Sequence, residues 1–312
     1  MKKNKKILIS SFHMCKELHN YSYLLKKNNI SYDTIIRNPV VKEKQLLKII
    51  SKYDGLICSD DEVTKKVLKK ASRLKVISKW GTGIDSIDKK YALKKKIKIF
   101  NSPDAFSKSV SQLVWGMIIN LTRNIFETQS EIRKNRWTKF SGILLENKYL
   151  GIIGLGSVGQ QIIKTGKGFG MNVLGNDIKS INKSVIKKLK IKKVSKKNLL
   201  NKSDIVVLCV DLNKTSNKLI NYKEFKLMKK NSIIINISRG PVINEKSLIK
   251  ALKKGQIKSA GIDVFEKEPP NKNNPLLKMK NCLVSSHNAF NTVEQVNKVH
   301  KNTILNLIKG LK

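Results

Sequence analysis

Short apolar runs alternate with polar or amphipathic segments along the first hundred residues of the chain. The runs are rich in Ile and Val, and most of the segments between them are long enough to form a helix. This alternation is typical of βαβ units, so it predicts an open α/β domain built on a parallel sheet. The predicted strands are Lys6–Ser10, Asp33–Ile36, Gly55–Cys58, Lys75–Lys79 and Ile97–Phe100.

A long amphipathic helix is predicted after these strands. Pro103 occupies a favoured first-turn position, and apolar residues then recur at the i, i+3, i+4 and i+7 spacing of one helix face. We interpret this helix as the crossing from a first domain to a second. The polar stretch from Arg123 to Phe140 is interpreted as an arm or a connection, with Trp137 as its anchor.

The second half of the chain contains further strand-like runs that are nearly continuous in apolar residues. Such runs are expected of a parallel sheet that is covered on both faces. A closing helix from about Val293 to Ile308 has apolar positions that could pack back on the first domain. The predicted strands are Leu150–Ile153, Asn172–Asn176, Asp204–Val210, Ser232–Ile237, Ser259–Val264 and Cys282–Ser285.

A glycine motif lies where one of these strands turns into a helix. Gly154, Gly156 and Gly159 form G-x-G-x-x-G, which permits a tight turn, the approach of a pyrophosphate and close packing of helix on strand. The first N–H groups of the helix would face the phosphates. The next strand ends at Asp177, whose carboxylate can bind both hydroxyls of an adenosine ribose and repels a 2′-phosphate. The motif therefore predicts a dinucleotide site that favours NAD over NADP.

Composition and charge restrict the class of protein. A chain of 312 residues that is 40% hydrophobic suits two globular domains. No apolar run approaches the roughly 18 residues of a membrane span, and the N-terminal apolar run is too short for a signal peptide, so we expect a cytoplasmic protein without a membrane partner. The cysteines lack metal-ligand spacing and are expected to be reduced, mostly buried thiols. No metal site is predicted.

The formal net charge of +42 raises the alternative of a nucleic-acid-binding protein. The cations are almost all lysines spread over the whole length, however, and arginine, the usual reader of bases, is rare. We therefore favour a solvated lysine surface and predict no specific nucleic acid partner. Because arginine is rare, an arginine beside a glycine in a loop is more plausibly there for its planar fork of donors.

Three polar residues follow three consecutive strands of the second half. Arg239, Glu268 and His287 should therefore lie at one edge of the sheet, the carboxyl edge, where such sheets bind ligands. Arg239 can bind a carboxylate through paired hydrogen bonds and polarise the adjacent carbonyl. His287 can donate a proton to the developing alkoxide, and Glu268, if paired with the imidazole, favours its charged form. Together they suit reduction of a 2-oxo acid.

Several motifs resemble those of the D-isomer-specific 2-hydroxyacid dehydrogenase family, which includes phosphoglycerate, glycerate, D-lactate and hydroxypyruvate enzymes. The resemblance covers nearly the full length. The motifs are GTGIDSID at 81–88, GLGSVG at 154–159 with Asp177, NISRG at 236–240, GIDVFEKEP at 261–269 and SSHNAF at 285–290.

The resemblance implies two Rossmann-like α/β domains with parallel sheets. A dinucleotide-binding domain, residues 103–289, would be inserted into a flavodoxin-like substrate domain, residues 1–102 plus 290–312. It implies Arg239, Glu268 and His287 as the catalytic set, with Thr82, Gly83 and Arg239 as substrate contacts. It also implies a homodimer joined through the dinucleotide-binding domain. The implied NAD contacts are Gly154, Gly156, Ser157, Val158, Gly159, Asp177, Val210, Ile237 and Asp263.

The implied activity is hydride transfer between NAD and a D-2-hydroxy acid. In phosphoglycerate enzymes an arginine in the loop after the third strand serves the substrate phosphate, but this loop carries Asp60, Asp61 and Glu62, which would repel one. Three readings therefore stay open at this point. They are a dehydrogenase for 3-phosphoglycerate, a hydroxypyruvate or glyoxylate reductase, and a dinucleotide-sensing regulator without catalysis.

Overall fold

The computed structural model describes residues 4–36 and 40–312. The chain forms two compact units, one of residues 1–106 and 292–312 and the other of residues 107–291. Within the described residues, no helix has the length and apolar character needed to cross a lipid bilayer.

Strands and helices alternate in both units, as the hydrophobic pattern predicts. The strands are β1 (Lys5–Ile9), β2 (Ile30–Thr34), β3 (Gly55–Cys58), β4 (Val76–Lys79), β5 (Lys98–Phe100), β6 (Tyr149–Ile153), β7 (Asn172–Asn176), β8 (Lys192–Lys193), β9 (Ile205–Leu208), β10 (Ile233–Asn236), β11 (Ser259–Ile262) and β12 (Cys282–Val284). The helices are α1 (Phe12–Glu17), α2 (Ser22–Lys26), α3 (Glu43–Ile49), α4 (Lys65–Lys70), α5 (Lys89–Lys94), α6 (Ser107–Arg123), α7 (Ile125–Ile132), α8 (Ser157–Thr165), α9 (Lys183–Lys188), α10 (Lys196–Lys202), α11 (Tyr222–Phe225), α12 (Glu245–Lys253) and α13 (Val293–Leu311).

The first unit is built on a parallel sheet with the strand order β2-β1-β3-β4-β5 over the described residues. This is the order of flavodoxin-like sheets, so the predicted fold of this part is confirmed. The closing helix α13 packs on the sheet, as its apolar positions suggest. The hydroxyl of Ser78 on β4 donates to the carbonyl of Thr303 (2.7 Å), and a Cβ on Gly310 would lie 2.3 Å from a methyl group of Val76.

The second unit has a parallel sheet in the order β12-β11-β10-β9-β6-β7-β8 over the described residues. Its central strands are buried along their whole length because helices cover both faces. Alternating side chains of β9 enter opposite cores: Val206 packs in the cluster that contains Phe225, and Val207 packs in the cluster that contains Ile162. The strand order reverses between β6 and β9, the place where open α/β sheets bind ligands.

Two of the predicted elements are misplaced. The second strand is not Asp33–Ile36 but Ile30–Thr34, which begins directly after Asn29 in the left-handed region (φ 53°). The long helix does not begin at Pro103 but at Ser107. Asp104 has φ 60°, a conformation that a right-handed helix excludes, so the chain turns there before α6 can start.

Two further elements have no counterpart in the prediction. Strand β8 is a pair of exposed lysines, which give no apolar signal but suit the unpaired edge of a sheet. Helix α7 lies within the stretch interpreted as an arm or connection and has no fully buried residue. Strand β8 thus has no hydrophobic pattern of its own, and the apolar residues of α7, Ile125, Phe126 and Ile132, are exposed.

Candidate active site

The glycine turn between β6 and α8 has the geometry of a phosphate-binding loop. Gly154 has φ 97°, and a Cβ there would lie 2.4 Å from the carbonyl oxygen of Cys209, directly after the neighbouring strand β9. A Cβ on Gly159 would lie 2.2 Å from the carbonyl oxygen of Gly154, so only glycine allows α8 to approach the turn. In contrast, nothing lies within 4 Å of a Cβ built on Gly156. This open side leaves room for a pyrophosphate at the start of α8.

Asp177 is fixed beside the glycine turn at the end of β7. Its Oδ2 accepts a hydrogen bond from the N–H of Leu155 (2.7 Å), and its Oδ1 accepts one from the N–H of Lys179 (2.7 Å). A carboxylate can accept about four hydrogen bonds, so acceptor capacity remains for ribose hydroxyls. The open glycine turn and the fixed carboxylate therefore fit an adenosine dinucleotide.

The other predicted cofactor contacts of the second unit lie near the same edge of the sheet. Ser157 and Val158 open α8, and Val210 and Ile237 follow β9 and β10; all four are partly exposed. A methyl group of Val210 is 3.0 Å from a Cβ built on Gly154, which places this residue directly against the turn.

Glu268 and His287 are brought together by the loops after β11 and β12. The Nδ1 atom of His287 is 2.8 Å from Oε2 of Glu268, and about one third of each side chain is exposed. The second carboxylate oxygen, Oε1, accepts a hydrogen bond from the N–H of Phe265 (3.0 Å). The carboxylate is thereby held from both sides, and it orients the imidazole through Nδ1.

Asp263 holds the loop that carries His287. The main-chain carbonyl of Asp263 accepts the N–H of His287 (2.7 Å), and its carboxylate oxygens accept the N–H groups of Asn288 (2.8 Å) and Ala289 (3.2 Å). These bonds stabilise His287 in the left-handed region, at φ 55°. The sequence analysis assigned Asp263 to the cofactor and missed this contact, although an acid within the apolar run Ser259–Val264 was a signal for it.

Arg239 follows β10, the strand next to β11. It is half-buried with an extended main chain, and its Nη1 donates to the carbonyl of Ser238 (2.8 Å). The next residue, Gly240, lies so close to the following loop that a Cβ would be 1.9 Å from the carbonyl oxygen of Phe265. The loops of Arg239, Glu268 and His287 thus follow three adjacent strands of one sheet, as predicted.

In the first unit, Thr82 and Gly83 belong to the loop after β4. The Thr82 hydroxyl donates to the carbonyl of Ser102 (3.1 Å), and the side-chain amide of Asn101 donates to the carbonyl of Thr82 (2.6 Å). The N–H of Ser102 also donates to the carbonyl of Gly81 (2.9 Å). The loop is therefore anchored at the carboxyl edge of the first sheet.

The three acids of the loop after β3 differ in burial and in their partners. Asp61 is buried, where burial raises the pKa of its carboxyl group against hydrogen bonds from Val41, Ser10 and Ser59 that lower it. Glu62 pairs with Lys42 (2.8 Å). Asp60 is half exposed and pairs with the buried ammonium of Lys79 (2.8 Å).

A family model matches the sequence of the second unit. Residues 115–289, more than half of the chain, match the model described as "D-isomer specific 2-hydroxyacid dehydrogenase, NAD binding domain". The chain belongs to the D-isomer specific 2-hydroxyacid dehydrogenase family. The resemblance stated from the motifs is therefore confirmed, and so is NAD as the predicted cofactor.

Curated members of this family include enzymes with different substrates. The chain is 41% identical over 256 residues to a D-3-phosphoglycerate dehydrogenase of Methanocaldococcus jannaschii, covering 81% of this chain and 48% of that protein. It is 36% identical over 252 residues to a glyoxylate reductase of Thermococcus litoralis, covering 78% and 76%. The chain spans about half the length of the phosphoglycerate dehydrogenases that it matches.

Solved structures of the family share the fold. A D-lactate dehydrogenase from Aquifex aeolicus, complexed with NAD and lactic acid, aligns with a TM-score of 0.86 at 25% identity, over 96% of this chain and 93% of that one. The predicted class, two parallel-sheet α/β domains of Rossmann type, is confirmed.

Proposed function

We propose that this chain is an NAD-dependent oxidoreductase that interconverts a D-2-hydroxy acid and its 2-oxo acid. The observation that supports this most directly is the 2.8 Å contact between Nδ1 of His287 and Oε2 of Glu268, in loops after strands next to that of Arg239 and in the same unit as the glycine turn. An imidazole held by a carboxylate and a nearby guanidinium are the groups that reduction of a 2-oxo acid requires.

The proposed roles follow from the geometry of these side chains. Arg239 binds the substrate carboxylate and polarises the carbonyl group. Because Nδ1 of His287 faces Glu268, Nε2 is the atom that donates a proton to the carbonyl oxygen, and Glu268 orients the ring. NADH, held at the glycine turn, would supply the hydride for the carbonyl carbon. In the oxidative direction His287 takes the proton back from the hydroxyl group.

We further propose that NAD is held at Gly154, Gly156, Ser157, Val158, Gly159, Asp177, Val210, Ile237 and Asp263. The domains would be those predicted from the sequence, with residues 1–102 plus 290–312 binding substrate and residues 103–289 binding the dinucleotide. In the substrate domain, Thr82 and Gly83 would contact the substrate. The anchored loop that carries them, at the carboxyl edge of the first sheet, supports this role.

For the substrate class, we propose a small 2-oxo acid with an uncharged distal group, of the glyoxylate or hydroxypyruvate type. The Asp60 carboxylate is half exposed at the carboxyl edge of the first sheet, and the buried cation beside it, Lys79, is already paired with it. Because Asp60 takes up the ammonium group of Lys79, this cation is not available to a phosphate that approaches the edge. The reading with 3-phosphoglycerate as substrate is therefore less well supported by this loop.

A homodimer joined through the dinucleotide-binding domain is also proposed. Large apolar side chains are exposed on and after α7, including Phe126, Trp137 (84% exposed) and Leu144 (72%). Beside them is an apolar groove of about 540 Å³ between α6 and α7, lined by Ile119, Ile125 and Ile132 among others. Exposed apolar surface of this extent is typical of protein interfaces.

A cytoplasmic location remains part of the proposal on the grounds given from the sequence.

The test is an assay of NADH oxidation with a panel of 2-oxo acids, comprising glyoxylate, hydroxypyruvate, pyruvate and 3-phosphohydroxypyruvate. The proposal expects turnover with at least one of the first three and a lower kcat/KM with the phosphorylated acid. NADH binding without turnover on any member of the panel would instead indicate a dinucleotide-sensing protein. A preference for the phosphorylated acid would overturn the proposed substrate class but not the proposed reaction.

A further inference from the structure

Asn236 is the last residue of β10 and lies three residues before Arg239. It is 1% exposed, and its register partners are Leu208 on β9 and Ile262 on β11. Its main-chain carbonyl accepts the N–H of Asp263 (3.0 Å), which fixes the end of the strand in the sheet. A buried side-chain amide at such a position must satisfy its polar atoms within the protein.

The side-chain amide of Asn236 finds its hydrogen-bond partners in the loop that carries Arg239. Its Oδ1 accepts hydrogen bonds from the N–H (3.1 Å) and the hydroxyl (2.8 Å) of Ser238, and its Nδ2 donates to the carbonyl of Arg239 (3.1 Å). Both lone pairs of Oδ1 are thus used, and the orientation of the amide is determined by its partners. No other residue of this size offers a donor and an acceptor in this arrangement.

These bonds fix the main chain from which the Arg239 side chain extends. The Arg239 carbonyl also accepts the N–H of Val242 (3.1 Å), so it is held by donors on both sides of it in the chain. The Nη1 atom is bonded to the carbonyl of Ser238, the residue that Asn236 clamps. A shift of Ser238 would therefore move both the main chain of Arg239 and its guanidinium group.

The same loop packs closely against the loop of Glu268. Gly240 touches the main chain of Phe265, and the Phe265 N–H in turn donates to Glu268, the partner of His287. Main-chain contacts thus connect the arginine loop to Phe265, and the Glu268 side chain completes the connection to the proton donor. The segment 237–239 lies between the end of β10 and this contact, and Asn236 holds it through Ser238 and Arg239.

We propose that Asn236 is a positioning residue for substrate binding, because its amide holds the Arg239 loop in the geometry that receives the substrate carboxylate. This inference rests on the proposed function. It predicts that loss of the amide weakens binding of the 2-oxo acid while NADH binding and proton donation are retained, since those depend on the glycine turn and on His287.

The test uses binding of sodium oxamate, a 2-oxo acid analogue, to the NADH-loaded full-length protein, so its readout does not depend on turnover. Asn236→Ala removes the amide. Asn236→Asp keeps the size and the acceptors but places a carboxylate oxygen against the Arg239 carbonyl, and it remains informative if the alanine variant does not fold. We expect each to raise the Kd for oxamate at least tenfold, with the Kd for NADH within twofold. Asn281→Ala, the matched control, should leave the Kd for oxamate within twofold, because this amide lies before β12 and donates to the carbonyls of Leu252 (3.4 Å) and Lys258 (3.3 Å) instead of the Arg239 loop.

A double-mutant cycle separates positioning from a general structural effect. In an Arg239→Lys background, the Asn236→Asp change should have little further effect on oxamate binding, because the fork that it positions is already gone. An equally large effect in both backgrounds would overturn the inference, as would an unchanged Kd in the Asn236 variants. If oxamate binds and responds as expected but the wild type reduces no 2-oxo acid, the proposed function fails while the positioning role stands.

Discussion

Asp177 is the side chain that we propose sets cofactor preference. Its carboxylate is oriented by the N–H groups of Leu155 and Lys179, and it retains acceptor capacity for ribose hydroxyls. A 2′-phosphate at the same place would meet a negative charge. Asp177→Ser removes that charge and keeps a small hydrogen-bonding group.

We expect the ratio of kcat/KM for NADH over NADPH to fall at least tenfold in Asp177→Ser. About 1.4 kcal/mol of lost discrimination is enough for such a change. Steady-state kinetics with both cofactors and one 2-oxo acid measure the ratio. An unchanged ratio would mean that the ribose is recognised by another residue.

Asp60 and Glu62 allow a matched comparison of how two acids affect recognition of the distal end of the substrate. Both are partly exposed acids of the same loop, but Asp60 pairs with Lys79 of β4, whereas Glu62 pairs with Lys42 before α3. Asp60→Asn should raise kcat/KM for 3-phosphohydroxypyruvate relative to glyoxylate by about tenfold, because a repulsive charge is removed and Lys79 is left to attract the phosphate. Glu62→Gln should change the relative value less than twofold. Equal effects of the two changes would show that Asp60 has no special place in substrate selection.

At the scale of elements, α13 carries a buried histidine that should make stability depend on pH. His300 is fully buried, and its Nδ1 accepts the indole N–H of Trp80 (3.0 Å) while Nε2 has no hydrogen-bond partner among the described residues. Burial lowers the pKa of His300 from 6.5 to about 4, with smaller effects of Glu17 and His13. The native state therefore favours the neutral ring.

Because the pKa is lower in the folded state, the unfolded state binds the proton first as the pH falls. The contribution of His300 is complete above about pH 6.5 and is lost between pH 6.5 and 4. The loss can reach about 3 kcal/mol in the free energy of unfolding. Urea titrations of wild type and His300→Asn at pH 7 and pH 5 measure it, and the variant should lose less stability over this interval. A variant that loses as much as the wild type would argue against the depressed pKa.

Elements with a strong hydrophobic pattern could be predicted from the sequence, and those without one could not. Strands β3 and β7 lie where the apolar runs indicate because they are bounded by polar residues or glycine. The start of α6 was misplaced because Pro103 favours a helix, while the left-handed Asp104 that delays it has no sequence signature. The strand-end positions of Arg239, Glu268 and His287 followed from topology. The support given by Asn236 and Asp263 did not, since hydrogen bonds within a loop depend on its exact path.

At the scale of the whole molecule, the exposed apolar side chains around α7 predict self-association. Trp137→Glu places a charge on the most exposed of the large hydrophobic side chains. We expect a shift from dimer to monomer in sedimentation velocity at micromolar concentration, because burying the charge costs more than the interface can offset. Leu93→Glu, on an isolated apolar residue of the first unit that is 79% exposed, is the control and should leave the dimer intact. A wild-type protein that is monomeric at these concentrations would contradict the proposed interface.

The central claim is that His287, held by Glu268, donates the proton in reduction of a 2-oxo acid by NADH. The most direct measurement is a single-turnover experiment with the NADH-loaded enzyme and its best 2-oxo acid, comparing wild type with His287→Ala. We predict a rate of hydride transfer at least a hundredfold lower in the variant, with the Kd for NADH within twofold. Equal rates in the two proteins would contradict the account.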